Sequence, residues 1–287
     1  MQDKVEVKLI GWRSKCLSWI GRCTLIKAVA QSIPIYAMST FKIPTTICNK
    51  LDASARRFWW NPKKSKAKYL AWRSWKYLCR PKGAGGLEYR KSKDFNTTLI
   101  AKLAWMVASK RESLCMEMLW SKYKVRDDWM RRNPIKGASP IWRAIEKSKK
   151  VIKKCACFLV GDGFAINVWM DPWIPWIEGF KPRPRDPLNP KDTMSVSTLI
   201  NSSTREWRLE LLLDLFDMET VAAIQKIRLP FFSRPDKLVW IKDPKRQFSA
   251  KSAYKMCQES SSSQTQNPLW KILWKLKMHD RVKILLW

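Results

Sequence analysis

An amphipathic helix is predicted for residues 17–33, which read LSWIGRCTLIKAVAQSI. Ser18 is a suitable N-cap, because its hydroxyl can accept a hydrogen bond from a backbone amide of the first turn. Apolar residues recur at helical spacing through the segment, and Pro34 ends it. Pro44 then predicts the start of a second helix that continues to about residue 60. The chain therefore opens as a helical protein.

The second half of the chain changes to mixed patterning. Two short apolar runs flank Gly161-Asp162-Gly163 and predict a β-hairpin near residues 157–169. Another strand is predicted over 237–241. We expect an α+β fold, with a mainly helical N-terminal half and a smaller α+β second half that contains the hairpin. The predicted regions are a basic helical part at 1–150, a small α+β part at 151–258, a flexible Ser-rich linker at 259–268 and a short segment at 269–287.

Positive charge dominates the composition and is concentrated in the first half. The 287 residues include 56 Lys and Arg against 24 Asp and Glu, a net charge of +32, of which residues 1–150 contribute +24 and residues 151–287 contribute +8. Such an excess favours a polyanionic partner. Apolar residues at 46% exclude wholesale disorder. Since no apolar run approaches the length of a membrane span, no membrane partner is predicted.

Residues 56–93 are both basic and aromatic. This stretch holds 13 Lys and Arg against a single acid, Glu88. Lys and Arg neutralise phosphates, and exposed aromatic rings can stack on unpaired bases. The alternative is a solvated basic face whose Trp residues belong to the core, and several of them are expected to be core. The predicted nucleic-acid-binding residues are Arg13, Lys15, Arg22, Lys27, Arg56, Arg57, Lys63, Lys64, Lys66, Lys68, Arg73, Lys76, Lys82 and Arg90.

Residues for catalysis or metal binding are scarce. His279 is the sole histidine, and of the eight cysteines only the pair at 155–157 is closely spaced, which suits packing as well as metal. Asp127-Asp128 lies among Lys and Arg and lacks the aromatic context of a polymerase palm. Asp162 and Asp171 are interpreted as turn residues. We therefore predict no catalytic residue, no metal site and no cofactor, and expect that the chain is not an enzyme on its own.

An ordered series of motifs covers nearly the whole chain. It resembles the polyproteins of plant LINE-type non-LTR retrotransposons, in the region just after the reverse-transcriptase palm. No single motif is specific for this family, but the order of the whole series is. The motifs occupy residues 17–29, 33–39, 79–90, 95–105, 161–175, 248–254 and 274–287.

The resemblance implies a helical thumb for residues 1–150 and the opening of a reverse-transcriptase zinc-binding domain for 269–287. A thumb grips the template–primer duplex through its backbone during target-primed reverse transcription. We therefore expect a non-catalytic fragment of an RNA-directed DNA polymerase polyprotein that binds RNA or DNA, with the absent palm and zinc-binding domains as further partners. The alternatives are a non-functional retroelement relic and a thumb subunit that completes a polymerase in trans. The compartment stays open, with an intracellular site expected and the nucleus favoured over the mitochondrion.

The chain departs from the pattern of that family at two turn glycines and at His279-Asp280, which replaces a usual Pro pair. Glu88 stands where the family usually has Gly, and Arg246 replaces a usual turn Gly. Loss of a glycine from a turn that needs a positive φ costs about 1 kcal/mol. Both substitutions are changes that an unselected relic would accumulate.

Overall fold

The chain forms two compact units. The computed structural model describes residues 1–13, 17–61, 69–126, 128–186, 194–259 and 268–287, without the side chains of Arg13 and Glu259. Unit 1 comprises Met1–Ile100 and Tyr254–Trp287, and unit 2 comprises Ala101–Ala253. The predicted division into four regions by sequence character stays a prediction. Most of the predicted Ser-rich linker, residues 260–267, lies outside the described residues.

Helices make up most of the described structure, which confirms the predicted α+β class with its small antiparallel sheet. In chain order the α-helices are α1 (Gln2–Arg13), α2 (Trp19–Leu25), α3 (Ile35–Thr40), α4 (Thr45–Trp60), α5 (Trp75–Leu78), α6 (Ser92–Ala108), α7 (Leu114–Tyr123), α8 (Pro140–Lys153), α9 (Leu209–Leu215), α10 (Met218–Gln225), α11 (Ala250–Glu259), α12 (Pro268–Lys275) and α13 (Asp280–Leu286). Single turns of 3₁₀-helix lie at Lys82–Ala84, Glu178–Phe180 and Val196–Leu199.

The helix predicted for residues 17–33 is present. Ser18 caps α2, and its Oγ accepts a hydrogen bond from the amide of Gly21 at 3.3 Å. The helix continues as a π-helical turn over Ile26–Ala30, a change of pitch that the apolar pattern does not reveal. The second predicted helix is α4, which begins directly after Pro44.

A cluster of packed aromatic rings lies in unit 1. Trp59 of α4 is buried, and its ring centroid lies 5.0 Å from that of Trp19 in α2 and 5.7 Å from that of Tyr89. Tyr89 in turn stacks on Trp75 of α5 at 5.1 Å. Such pairs contribute about 0.5–1.5 kcal/mol each beyond the burial of their area. The aromatic rings of the basic stretch thus hold α2, α4 and α5 together.

The sheet pairs strands that are far apart in sequence. β1 (Ala156–Leu159) runs antiparallel to β2 (Lys237–Trp240), with Ala156 opposite Trp240 and Leu159 opposite Lys237. β2 is the strand predicted at 237–241. The hairpin pattern predicts that β1 pairs with the apolar run directly after Gly163. The strand that pairs with β1 is instead β2.

A carboxylate from a distant segment binds the amides of the predicted hairpin turn. Asp236, directly before β2, accepts hydrogen bonds from the amides of Gly161, Gly163 and Ala165 at 2.7, 3.0 and 3.0 Å. A Cβ on Gly161 would lie 2.2 Å from the carbonyl oxygen of Arg234, so only glycine allows this approach. The loop amides are therefore bound to Asp236 rather than to a neighbouring strand.

The described residues between 160 and 227 in unit 2 pack around an apolar core. Its buried residues include Ile166, Val168, Trp173, Val196, Leu199, Leu212, Phe216 and Ile224. In the part of the chain that the structure describes, no helix has the length and apolar character to cross a membrane.

Candidate nucleic-acid interface

Among the described residues of unit 1, seven cations lie over aromatic rings. We call this set the ring-held cations. Distances from the charged group to the ring centroid are 4.5 Å for Arg22 over Trp19, 5.8 Å for Lys27 over Tyr89, 5.6 Å for Arg57 over Tyr69, 4.6 Å for Arg73 over Tyr77, 5.0 Å for Arg80 over Tyr77, 4.5 Å for Lys82 over Trp274 and 4.7 Å for Arg90 over Phe95. An aromatic face attracts a cation through its quadrupole, without cancelling its charge.

The ring-held cations other than Arg57 lie apart from the carboxylates of the described residues. None of these other six cations has a described Asp or Glu oxygen within 4.0 Å of its charged group. The ion pairs of unit 1 join other residues, such as Lys91 with Asp94 at 3.8 Å and Lys283 with Asp280 at 3.6 Å. Unit 1 as a whole has 27 Lys and Arg against 7 Asp and Glu, a net charge of +20, whereas unit 2 has 29 against 17, a net charge of +12.

Arg22 differs from the other ring-held cations because it also supports the fold. Its Nη1 donates a hydrogen bond to the carbonyl oxygen of Trp59 at 3.2 Å, in the last turn of α4. A cation is favourable at this end of a helix, where unpaired carbonyls carry partial negative charge. Burial lowers the pKa of the Arg22 guanidinium. Arg22 therefore joins α2 to α4 and offers a ligand less of its surface.

Three of the predicted cations are exposed and available to a ligand: Arg73, Lys76 and Arg90. Lys27, Arg56, Arg57 and Lys82 are half-buried. The remaining predicted residues, Lys15, Lys63, Lys64, Lys66 and Lys68, lie outside the described residues, as does the side chain of Arg13.

The turn at residues 81–86 brings the C-terminal helices to Lys82. Gly85 has φ +78°, and a Cβ there would lie 2.5 Å from the Tyr77 hydroxyl and 2.8 Å from Nε1 of Trp270. Nε1 of Trp287 donates a hydrogen bond to the Gly85 carbonyl at 2.6 Å. α12 and α13 thus pack on this turn. They cover most of the segment 269–287, for which the family resemblance implies the opening of a zinc-binding domain.

Two side chains of this surface were missed by the sequence-based selection. Arg80 belongs to the basic stretch but was not among the chosen residues, and Trp274 lies outside the stretch altogether. The available signal was the spacing of Trp270 and Trp274, four residues apart on one face of a helix.

Turn roles are confirmed for Asp162 and Asp171. Asp162 accepts a hydrogen bond from the amide of Phe164 at 3.2 Å. Asp171 accepts one from the amide of Asn167 at 2.8 Å and forms an ion pair with Nε of Arg131 at 3.1 Å. Burial raises the pKa of Asp171 despite these partners. Both carboxylates therefore stabilise loops of unit 2.

The other candidate ligands for a metal are dispersed. Asp128 pairs with Arg132 at 2.7 Å, which lowers the pKa of that carboxyl, and Asp127 lies outside the described residues. Cys155 and Cys157 are buried, and desolvation raises the pKa of the Cys157 thiol to about 12. Within the described ranges, no three His, Cys, Asp or Glu side chains come together as a metal site.

Comparison with known proteins gives two relatives, both from Arabidopsis thaliana, while no protein-family profile matches the chain. The first, "Putative ribonuclease H protein At1g65750", is 32% identical over 304 residues, which cover 99% of this chain and 46% of the relative. The chain thus spans about half the length of that protein. Its name overturns the expectation that the chain is not an enzyme on its own, because the aligned relative is named for an enzyme.

The second relative is "Uncharacterized mitochondrial protein AtMg00310". It is 31% identical over 145 residues, which cover 50% of this chain and 94% of the relative. Both relatives support the coarser part of the resemblance, that this is a retroelement-related protein. Because nearly the whole mitochondrial protein aligns at this identity, the chain belongs to the same family as that protein.

Proposed function

We propose that unit 1 binds nucleic acid through its ring-held cations, as the part of a retroelement polyprotein that grips an RNA–DNA hybrid. The observation that supports this proposal is a set of cations positioned by aromatic rings. Apart from Arg57, these cations form no ion pair with a carboxylate among the described residues. Phosphates are the natural ligands of such cations, since charge-assisted hydrogen bonds to them are short and strong.

The finer assignment follows the resemblance to LINE-type polyproteins. There the region after the palm grips template and primer, which form an RNA–DNA hybrid during reverse transcription. The relative named for a ribonuclease H supports the same ligand, since that class of enzyme acts on the RNA strand of such hybrids. We therefore propose that the ligand of unit 1 is an RNA–DNA hybrid. Unit 1 recognises mainly the backbone of the hybrid and not a specific base sequence.

Fluorescence anisotropy with a labelled RNA–DNA hybrid tests the proposal. We expect a Kd of about 10⁻⁴–10⁻⁶ M at physiological salt, little changed when the base sequence is changed. In the variant K63Q/K64Q/K66Q/K68Q, which removes four lysines of the basic stretch, the plot of log K against log salt should become flatter. An unchanged slope and affinity would remove these lysines from the interface.

The same hybrid also tests the enzyme class suggested by the relative's name. The chain is incubated with labelled hybrid and Mg²⁺, and the length of the RNA strand is followed on a denaturing gel. Cleavage that depends on the chain extends the function from binding to hydrolysis. An intact RNA strand under conditions where anisotropy reports binding restricts the function of this stretch to gripping the hybrid.

A further inference from the structure

Trp72 is exposed in a protein that buries or half-buries nearly all of its indole rings. All 18 Trp residues lie within the described ranges, and two of them are exposed: Trp72 at 78% and Trp176 at 57%. Trp59 and Trp75, from the same basic stretch, are core residues at 1% and 8% exposure. Of the Trp residues in that stretch, Trp72 is therefore the one whose ring faces are open to a ligand.

The residues that follow Trp72 begin a short helix. Ser74, two residues on, is the N-cap of α5, and its Oγ accepts a hydrogen bond from the amide of Tyr77 at 3.2 Å. Arg73 lies over the ring of Tyr77 at 4.6 Å. Among the described residues Trp72 itself has no ring contact and no hydrogen bond, so its exposed indole is open to a ligand.

Two cations are close to Trp72 in the sequence. Arg73 follows it directly and Lys76 lies in α5; both are exposed, and neither pairs with a carboxylate among the described residues. The other exposed indole, Trp176, has Glu178 two residues away. A base can stack on an aromatic ring while neighbouring cations hold the phosphates on either side of it, which is how single strands are bound without regard to sequence.

We propose that Trp72 is a stacking platform for an unpaired base, so that unit 1 binds single-stranded nucleic acid as well as the backbone of a duplex. This inference rests on the proposed function, because cations that would bind phosphate are close to Trp72 in the sequence. The ligand class of the platform is narrower than that of the cations. It is a strand with accessible bases, such as the single-stranded template next to a hybrid.

Anisotropy with two labelled strands of equal length tests the platform: oligodeoxythymidylate, and a strand of abasic sites with the same number of phosphates. The variants are W72A, W72F and, as a matched control from unit 2, W176A. We expect W72A to weaken binding of the thymidine strand about ten-fold. The abasic strand should bind W72A and the wild type equally, W72F should retain most of the affinity, and W176A should match the wild type.

The salt dependence separates the two proposals. Stacking removes no counterions, so W72A should keep the wild-type slope of log K against log salt. If W72A binds the thymidine strand as tightly as the wild type does, while that slope shows phosphate contacts, the platform is refuted and the proposed function stands. If the wild type binds the RNA–DNA hybrid but neither single strand, the platform is refuted and the proposed function stands; if it binds none of the three, both fail. Equal melting temperatures for W72A and the wild type verify that the fold is intact.

Discussion

The ammonium nitrogen of Lys82 lies 4.5 Å from the centroid of the Trp274 ring, although 192 positions separate the two residues in the chain. Lys82 begins the short 3₁₀ turn before Gly85, and Trp274 lies in α12. The C-terminal helices therefore help to position a cation of the basic stretch. If unit 1 binds nucleic acid as proposed, this contact links that binding to the stability of the turn.

Replacing Gly85 by Ala should destabilise unit 1. The φ of +78° disfavours any side chain, and the added Cβ would meet the Tyr77 hydroxyl at 2.5 Å. We expect G85A to lower the free energy of unfolding by about 3 kcal/mol in urea titrations, combining backbone strain with overpacking. The matched control is G137A, since Gly137 has a similar φ of +73° and nothing within 4 Å of the added Cβ. G137A should cost only about 1 kcal/mol, and equal losses would disprove the contact with Tyr77.

Replacing Glu88 by Gly should stabilise the protein. Glu88 has φ 59°, in the left-handed region that glycine adopts without strain. Its side chain is exposed, so we expect E88G to raise the free energy of unfolding by about 1 kcal/mol. The control E112G replaces an exposed Glu whose φ is not positive, and it should be destabilising by up to about 1 kcal/mol. A loss of stability in E88G would contradict the strained turn.

Asp52 should make the stability of unit 1 depend on pH. Its carboxylate accepts hydrogen bonds from the amide and hydroxyl of Ser92 at 3.1 and 2.6 Å, yet burial raises the pKa of Asp52 to about 6. Between pH 4 and 6 the folded state therefore binds more protons than the unfolded state, and the contribution of this group to stability falls as pH rises.

D52N removes this titration. The difference in free energy of unfolding between D52N and the wild type should shift in favour of D52N by about 2–3 kcal/mol from pH 4 to pH 7, with no further shift above that. Urea titrations at each pH measure it. A difference that stays constant across this range would show that Asp52 titrates alike in the folded and unfolded states.

Removing the carboxylate of Asp236 should loosen the Gly161–Ala165 loop. D236A leaves three backbone amides without their acceptor, and we expect a loss of about 2–4 kcal/mol in the free energy of unfolding. The control D162A removes an acceptor with one bond, to the amide of Phe164, and should cost less than about 1 kcal/mol. Faster hydrogen exchange at Gly161 and Gly163 in D236A is expected, and unchanged exchange would rule out this role.

Local signals predicted the elements that local chemistry determines. Ser18 and Pro44 begin their helices where expected, and the strand at 237–240 is present. The family resemblance also identified two strained turns, since Glu88 and Arg246 both have positive φ. These features depend on residues within a few positions of one another.

Contacts between distant segments could not be predicted in the same way. β1 pairs with β2, and Gly161 binds Asp236, 75 residues away; nothing near the hairpin pattern reveals either contact. The packing of Trp287 on Gly85 joins residues 202 positions apart. The candidate interface shares this limit: the sequence located its cations, whereas the rings that hold them come partly from the other end of the chain.

The central claim is that ring-held cations of unit 1 contact the phosphates of a nucleic acid. The most direct test measures the salt dependence of RNA–DNA hybrid binding for R73Q/K82Q/R90Q. The control variant R208Q/K226Q/R228Q also replaces two arginines and one lysine, at exposed positions of unit 2, so the two variants lose equal charge. We predict that the first variant lowers the magnitude of the log K against log salt slope by about 2–3, while the control changes it by less than about 1. Equal slopes for the two variants would contradict the claim, because binding would then follow net charge alone.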